Sequence, residues 1–551
     1  MATIPITEAE KAKVRATLFH HLAGIVVIPT LQALSDGKVF ELFRHAPGPV
    51  ELDRIVEQTH GNRGYLRVAL RLLTSCGWMQ ERTGKDSRVV NYSLTDKGRF
   101  AVSIAAGLCG EVVSFLPKAI FLEDFLFGKS SETILSSLET LVLRARDHWG
   151  LVPQEGSVKV EACNQVCQYL DSILVGPAMV ALARGGIFAR LERGPVDLDS
   201  LEGNRASLAL LFDLLENQGW MVREQNRVSL TPAGLYAAQL GTSYGVTVSY
   251  LPLLDVLSTL LFGNPRIARF DETGSELLVN RGMNVWGSGG AHKTYFRKIE
   301  EIIVEIFNRP LEQQPEGICD MGCGDGTLLE HLYCVVRTQT ARGTVLDKNP
   351  LLLVGVDFNK VARRITKQRL RFARIPAHFV IGGDINRPAQ LASDLEALGH
   401  DVHNLLHVRS FLDHNRPYSP PANYVRGTRT GTSSGAFAYL GAEIASDELE
   451  ENLVRHLRRW APYVGRFGLL ILELHTLPPE LTAANLDKTP AVAYDGTHGY
   501  SDQYLVELPV FSKCAREAGL QADQRHQYKF PPSDLATVSL NFFTTPAGRM
   551  G

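Results

Sequence analysis

Cysteine is scarce in this 551-residue chain. Its eight cysteines are scattered, and the two closest pairs, Cys163 with Cys167 and Cys319 with Cys323, both lack the two-residue gap of a zinc knuckle. Buried free thiols are therefore expected. An excess of charge is also missing: 57 Lys and Arg against 59 Asp and Glu leave a net charge of -2. Such a balance gives no general attraction for a phosphate backbone or an anionic bilayer, so neither nucleic acid nor membrane is an expected partner. No stretch reaches about 18 uninterrupted apolar residues, and MATIPITEAEKAKVRATLFHHLAG has no charged segment followed by a clean apolar run. A cytoplasmic location is the expectation.

What the chain does have is ordinary globular composition, 45% apolar, at a length that exceeds the roughly 250 to 300 residues one core can serve. Its N-terminal half repeats itself. The phrases GKVFELF from Gly37, GPVELD from Gly48, CGWM from Cys76, SLTDKG from Ser93, SFLP from Ser114 and LFGK from Leu126 return in order. Their counterparts are GGIFARL from Gly185, GPVDLD from Gly194, QGWM from Gln218, SLTPAG from Ser229, SYLP from Ser249 and LFGN from Leu261. Ordered self-similarity of this kind marks a duplicated module. Three regions follow: a first repeat over 1–145, a second over 146–280, and a remainder over 281–551 with an insertion near 415–435.

Within each copy, helical spacing as in Leu66, Ala69, Leu70, Leu72 and Leu73 precedes a Gly-Trp-Met turn and two strand-like pieces, clearest in MVRE and RVSL. Helices followed by a small wing resemble the winged-helix domains that precede many small-molecule methyltransferases. Modules of this shape can also read DNA. The second-copy helix, SLALLFDLLENQGW, carries Asp213 and Glu216 but no arginine or lysine, so phosphate contacts are not expected from it.

From Gly317 the text runs GICDMGCGDGTLLEHLY, a short apolar strand ending near Asp320, a glycine turn, and a helix from Thr327. Gly322, Gly324 and Gly326 form G-x-G-x-G behind an acid, where a dinucleotide fingerprint would be G-x-G-x-x-G. Strand LLLVGVDF then sets Asp357 at its tip, where a carboxylate can accept from both ribose hydroxyls. HFVIGGDI sets Asp384 at the next, for an adenine amino group, with Ile385 against the ring. Either acid alone would read as a cap or turn residue. Together with the glycine turn, they form the S-adenosylmethionine pattern of a class I methyltransferase, an α/β Rossmann-like core behind the helical repeats.

The runs NVWGSGGAHKTYF from Asn284, IFNRPLEQQPEGICDMGCGDG from Ile306 and RGTVLDKNPLLLVGVDFN from Arg342 resemble the initiating C-methyltransferases of modular polyketide synthases, those of the apratoxin, gephyronic acid and saxitoxin loading modules. The resemblance covers nearly the whole chain. It implies methylation at the α-carbon of a malonyl group on an acyl carrier protein, with neighbouring synthase domains as further partners and a mononuclear Fe(II) or Mn(II). A divalent ion is chemically sensible because an enolate needs positive charge near its oxygen. The resemblance carries the metal to His414, His498 and Gln503, the last two read as lying on one loop, YDGTHGYSDQYLVEL. His475 and His407 are further candidates, the latter with Arg409 also placed for the methionine end of the cofactor. Tyr494 and His475 are the candidates for catalysis. Asp495 either orients a base or makes an ordinary Asp-Gly turn. The stretch YSPPANYVRGTRTGTSSG is expected as either a mobile lid or a disordered linker. Two other functions compete: an O- or N-methyltransferase on a free small molecule, and a winged-helix regulator with a vestigial methyltransferase domain.

Overall fold

Each copy of the duplicated half opens with a long apolar helix. In the computed structural model, which describes residues 6–83, 89–128, 134–152, 156–270 and 276–545, these are Glu8–Asp36 and Ser157–Arg184. By length and composition both could cross a membrane, but 78% of each apolar window is buried inside the protein. Gly24 lies against the Tyr169 backbone and Gly176 against Ile25, so the two helices cross closely. The polar residues that interrupt the first apolar run are also buried. His21 Nδ1 lies 2.9 Å from the Tyr244 hydroxyl, and Thr30 donates to the Val26 carbonyl at 2.8 Å.

The chain divides into two units. The first holds Met1–Gly290 with Ala438–Glu443 and Pro478–Asp502; the second holds Ala291–Phe437, Ile444–Leu477 and Gln503–Gly551. The 145/146 division expected from the repeat therefore does not separate two cores.

In the first unit the repeat is legible strand by strand. β1 (Val50–Glu51), β2 (Met79–Thr83) and β3 (Val90–Leu94) form a sheet of order β1-β3-β2. β4 (Val196–Asp197), β5 (Met221–Glu224) and β6 (Arg227–Leu230) form one of order β4-β6-β5. Thr95 and Thr231 play the same part, each accepting from a backbone N–H (Gly98, Gly234) and donating to a carbonyl (Gly77, Gly219). The copies also exchange contacts. Phe262 of the second covers Gly37 of the first, and Phe127 of the first covers Gly185 of the second. The Asn62 N–H donates to the Leu261 carbonyl at 2.7 Å and the Asn204 N–H to Leu126 at 2.8 Å.

Helix Ala491–Tyr500 belongs to this unit, where a loop had been expected. Gly496 backs onto Val26 and Gly499 onto Val68; the glycines lower helix propensity but permit the close approach. Charged contacts fix it and its neighbours: Asp495 accepts from Arg71 at 3.1 Å, Glu443 from Arg63 and Arg67, and Asp502 from Tyr65 at 2.8 Å with Arg269 beside it. The first-copy helix Arg63–Ser75 thus carries three arginines on one face, unlike its second-copy counterpart, and each meets an acid within the unit.

The second unit is built on seven strands: β7 (Gly317–Met321), β8 (Leu352–Asp357), β9 (His378–Gly382), β10 (Leu405–Ser410), β13 (Leu469–Leu474), β14 (Gln521–Phe530) and β15 (Val538–Thr544); the short hairpin of β11 (Phe437–Tyr439) and β12 (Ala442–Ile444) falls mostly in the first unit. The order is β14-β15-β13-β10-β7-β8-β9, parallel from β13 to β9 and antiparallel at β15 and β14. β7 and β13 are buried along their whole length, as central parallel strands must be when both faces are covered. The chain runs from β7 outward through β8 and β9, then returns to the other side at β10. The β7/β10 boundary is thus the topological switch point, where open α/β sheets bind ligands. This is an α/β Rossmann-like core.

The 415–435 segment carries specific side-chain anchors within the second unit. It is fastened to helices Ser446–Trp460 and Leu508–Glu517: Tyr424 donates to Asp447 at 2.9 Å, Arg426 to Glu448 at 3.0 Å and Arg429 to Glu517 at 2.6 Å, while the Ser433 N–H donates to the buried Glu450 at 2.9 Å.

Candidate functional site

The turn after β7 sits at the switch point, and its three glycines all have positive φ: Gly322 at 81°, Gly324 at 54° and Gly326 at 81°. A Cβ on Gly322 would lie 2.9 Å from Leu412 and one on Gly326 2.9 Å from Thr366, whereas nothing stands within 4 Å of that position on Gly324. The outer glycines are therefore required by packing, and the central one leaves a bare backbone facing open space.

Three carboxylates surround this turn. Asp320 is 2% exposed and its Oδ1 has no hydrogen-bond partner among the described residues. Burial, reinforced by the negative charges of Asp357 and Asp325, pushes its pKa up to about 7. Asp357 ends β8; its Oδ2 accepts from the Gly324 N–H at 3.0 Å and its Oδ1 from the Asn359 N–H at 2.7 Å. These bonds hold the carboxylate against the glycine turn. Asp384 lies two residues beyond β9 and accepts from the Asn386 N–H at 2.8 Å, while the carbonyl of buried Ile385 accepts from Trp460 at 2.7 Å. Phe358, 85% exposed beside Asp357, is a flat apolar surface that the sequence reading passed over. An orphaned buried carboxylate oxygen, an open glycine backbone and further acids at successive strand ends fit S-adenosylmethionine. Asp357 would take its ribose, Asp384 and Ile385 its adenine, and the Gly322–Gly326 turn its amino-acid end. Asp357→Ala is expected to weaken binding by about 1.5–3 kcal/mol, roughly 10- to 150-fold. Titration calorimetry checks it, and an unchanged affinity would remove Asp357 from the site.

His407 departs from its cofactor-binding expectation. It lies mid-strand in β10, 1% exposed, with Nε2 3.0 Å from the Val402 carbonyl and its ring edge-on to Trp460, so it points toward the entry of the strand and not its tip. Burial pushes its pKa down to about 4. His475 is likewise closed into the core. Its Nδ1 lies 3.1 Å from the Val506 carbonyl and its Nε2 2.7 Å from Ser539 Oγ, and burial holds its pKa near 4. Both ring nitrogens are engaged, which suits packing better than proton transfer.

Past β10 the chain builds a buried charged cluster. Asp413 Oδ1 accepts from Arg409 at 2.7 Å and pairs with His456 Nε2 at 2.8 Å, and its carbonyl accepts from Arg416 at 2.9 Å. Arg409 rests 4.1 Å over the Trp460 ring. Burial alone would raise the Asp413 pKa, but Arg409, His456 and Arg416 outweigh it and hold the carboxyl well below the usual range. Arg416 and His456 were invisible as partners in the sequence, because Ser446–Trp460 brings His456 in from a distant stretch.

The proposed metal ligands are distributed over both units. His414, 6% exposed, places Nδ1 2.5 Å from Glu473 Oε1, and its N–H donates to Oε2 at 3.1 Å. A carboxylate-backed imidazole is how proteins orient a metal-binding histidine. Gln503 is also buried in the second unit. His498 and Tyr494 stand on helix Ala491–Tyr500 of the first unit, where His498 Nδ1 lies 2.8 Å from the Tyr494 carbonyl. His498 and Gln503 therefore do not share one loop. No group of three or more His, Cys, Asp or Glu is positioned to hold a metal among the described residues.

Residues 14–81 match the AprA N-terminal domain, residues 171–264 the AprA winged helix domain and residues 276–541 the AprA MT2-like domain. No curated protein matches the chain. Among solved structures it is similar to the mitomycin 7-O-methyltransferase MmcR (11% identity, 71% of this chain and 99% of that one, TM-score 0.41). It is similar also to an O-methyltransferase family protein from Burkholderia thailandensis (12%, 68% and 95%, 0.39) and to the CurJ carbon methyltransferase (13%, 74% and 98%, 0.33). With its three domains in order and its switch-point glycine turn, the chain is an S-adenosylmethionine-dependent methyltransferase and belongs to the AprA-type family.

Proposed function

We propose that the acceptor is the α-carbon of a malonyl or related acyl thioester on an acyl carrier protein of polyketide biosynthesis. The observation that carries this reading is the ordered match to all three AprA domains, which spans both the duplicated half and the core. In such a transfer the α-carbon would give up its proton to a base and take the methyl group that S-adenosylmethionine supplies, the thioether leaving as the by-product. The chain's own contribution is alignment, since the cofactor brings its leaving group with it. Asp357 and Asp384 would fix the nucleoside, and the glycine turn would fix the end bearing the methyl.

A divalent metal on His414 and Gln503, both in the second unit, belongs to the same proposal. When bound, such an ion supplies positive charge to a thioester carbonyl. The Glu473–His414 pair supports a ligand role for that imidazole.

The test is to mix the full chain with malonyl-loaded carrier protein, S-adenosylmethionine and Fe(II) or Mn(II), and to weigh and fragment the product. One methyl on the acyl carbon is expected. Methylation of a free hydroxyl or amine acceptor in place of the thioester would overturn the carbon reading, and full turnover in excess chelator would remove the metal.

A further inference from the structure

The net charge of -2 conceals one strongly basic element. Residues 360–374, KVARRITKQRLRFAR, carry seven cations and no acid. Thr366 and Leu370 bury the inner face of helix Lys360–Phe372. Two of the cations are used within the second unit. Arg369 pairs with Asp325 at 2.9 Å and Glu330 at 3.1 Å, and Arg363 donates to the Asp357 and Phe358 carbonyls. The other five, Lys360, Arg364, Lys367, Arg371 and Arg374, are exposed and form no ion pair among the described residues. They recur at alternating intervals of four and three, so they line one stripe of the helix and its continuation.

Beside that stripe runs an apolar one. Val361, Ile365 and Phe372 are 53%, 40% and 90% exposed and occupy the same helical spacing one position on. Scattered exposed apolar residues need no explanation, but three aligned next to unpaired cations form a surface with a composition of its own.

We infer that the outward face of Lys360–Phe372 is the docking surface for the acidic, helical carrier protein that delivers the acyl thioester, an inference that rests on the carrier-bound reading above. Charge complementarity selects the partner: a stripe of cations flanking a short apolar strip matches a protein surface whose acids flank a few apolar side chains. Position supports it. The stripe begins three residues after Asp357, so a protein held there stands beside the cofactor turn, where a pantetheine arm must deliver its end. An anionic bilayer would use the same charges but gains nothing from that placement, and three apolar side chains offer it little area.

The test uses the full chain with Arg364→Glu, Lys367→Glu and Arg371→Glu combined, none of which touches the cofactor turn. Binding of fluorescent malonyl carrier protein is followed by anisotropy at low and moderate salt, and turnover is measured on carrier-bound malonyl and on malonyl-pantetheine. Wild-type binding should weaken with salt, and the variant should lose about 10- to 100-fold in carrier affinity. The variant's turnover of malonyl-pantetheine and its affinity for S-adenosylmethionine should stay at wild-type values. Unchanged carrier affinity in the variant would overturn the docking face, as would tighter binding to phosphatidylserine vesicles or random duplex DNA than to the carrier. Absence of methylation on both malonyl substrates, with carrier binding and its loss in the variant intact, would overturn the proposed reaction and leave the docking face standing.

Discussion

Asp413→Ala is expected to destabilise the protein by about 3–5 kcal/mol, because it removes the carboxylate hydrogen-bonded to buried Arg409 and leaves Glu473 as the remaining acid acting on the two arginines. Arg409 and Arg416 are 1% and 2% exposed, and Asp413 is the carboxylate that Arg409 and His456 share. Asp413→Asn should cost less, since the amide oxygen can still accept a hydrogen bond, but it removes the charge. The pH dependence has a definite sign. The folded pKa of Asp413 lies below its unfolded value, so its stabilisation is present above about pH 4 and fades as pH falls below that. Wild type should therefore lose more stability on acidification than Asp413→Asn, as denaturant titrations at pH 7 and pH 3.5 would reveal. Equal losses in the two proteins would show that the carboxylate is not the anchor of the cluster.

Gly98→Ala and Gly234→Ala should each cost more than about 3 kcal/mol, above the common range for an added methyl group in a packed core. At both sites the new Cβ would overlap a backbone carbonyl oxygen, that of Trp78 in the first copy and of Trp220 in the second. A main-chain carbonyl cannot rotate away as a side chain can, so the turn itself must open. The two substitutions sit at equivalent positions, and thermal unfolding of the full chain should show drops of similar size. A drop at one site only would mean that the copies do not share this packing. No drop at either would mean that the turns are looser than the geometry states.

Much of the core was legible because parallel strands announce themselves. β7, β8 and β9 are short apolar runs ending in turn chemistry, so the chain positions of Asp320, Asp357 and Asp384 followed from the text, as did the wing strands β5 and β6. Helix Ala491–Tyr500 was not legible. AVAYDGTHGY contains two glycines and an Asp-Gly pair, which locally favour a turn, and only packing against Val26 and Val68 from far upstream makes it helical. The 415–435 strap misled for a related reason. Its Pro, Gly, Ser and Thr content is that of a linker, but its anchors are acids on helix Ser446–Trp460, and no local pattern reveals them. His407 and His475 were assigned by their place in the chain, but His407 lies in a strand buried on both faces and His475, just past β13, is closed in by Val506 and Ser539. The basic helix was within reach, since seven cations in one short run with no acid is a sequence-level signal.

The exchange of Phe127 and Phe262 across Gly185 and Gly37 has an evolutionary consequence. Each copy satisfies on its sibling a surface that a lone module would have to satisfy on another molecule, as the two subunits of a homodimer do. Fusion frees such a pair from symmetry. In a homodimer any substitution appears twice, on both faces at once, whereas here the helices Arg63–Ser75 and Arg205–Asn217 have parted ways: Arg67 stands opposite Ala209, and Arg71 opposite Asp213. One sibling could thus acquire the arginines that grip Glu443 and Asp495 while the other kept its own surface, a specialisation that two identical subunits could not have encoded.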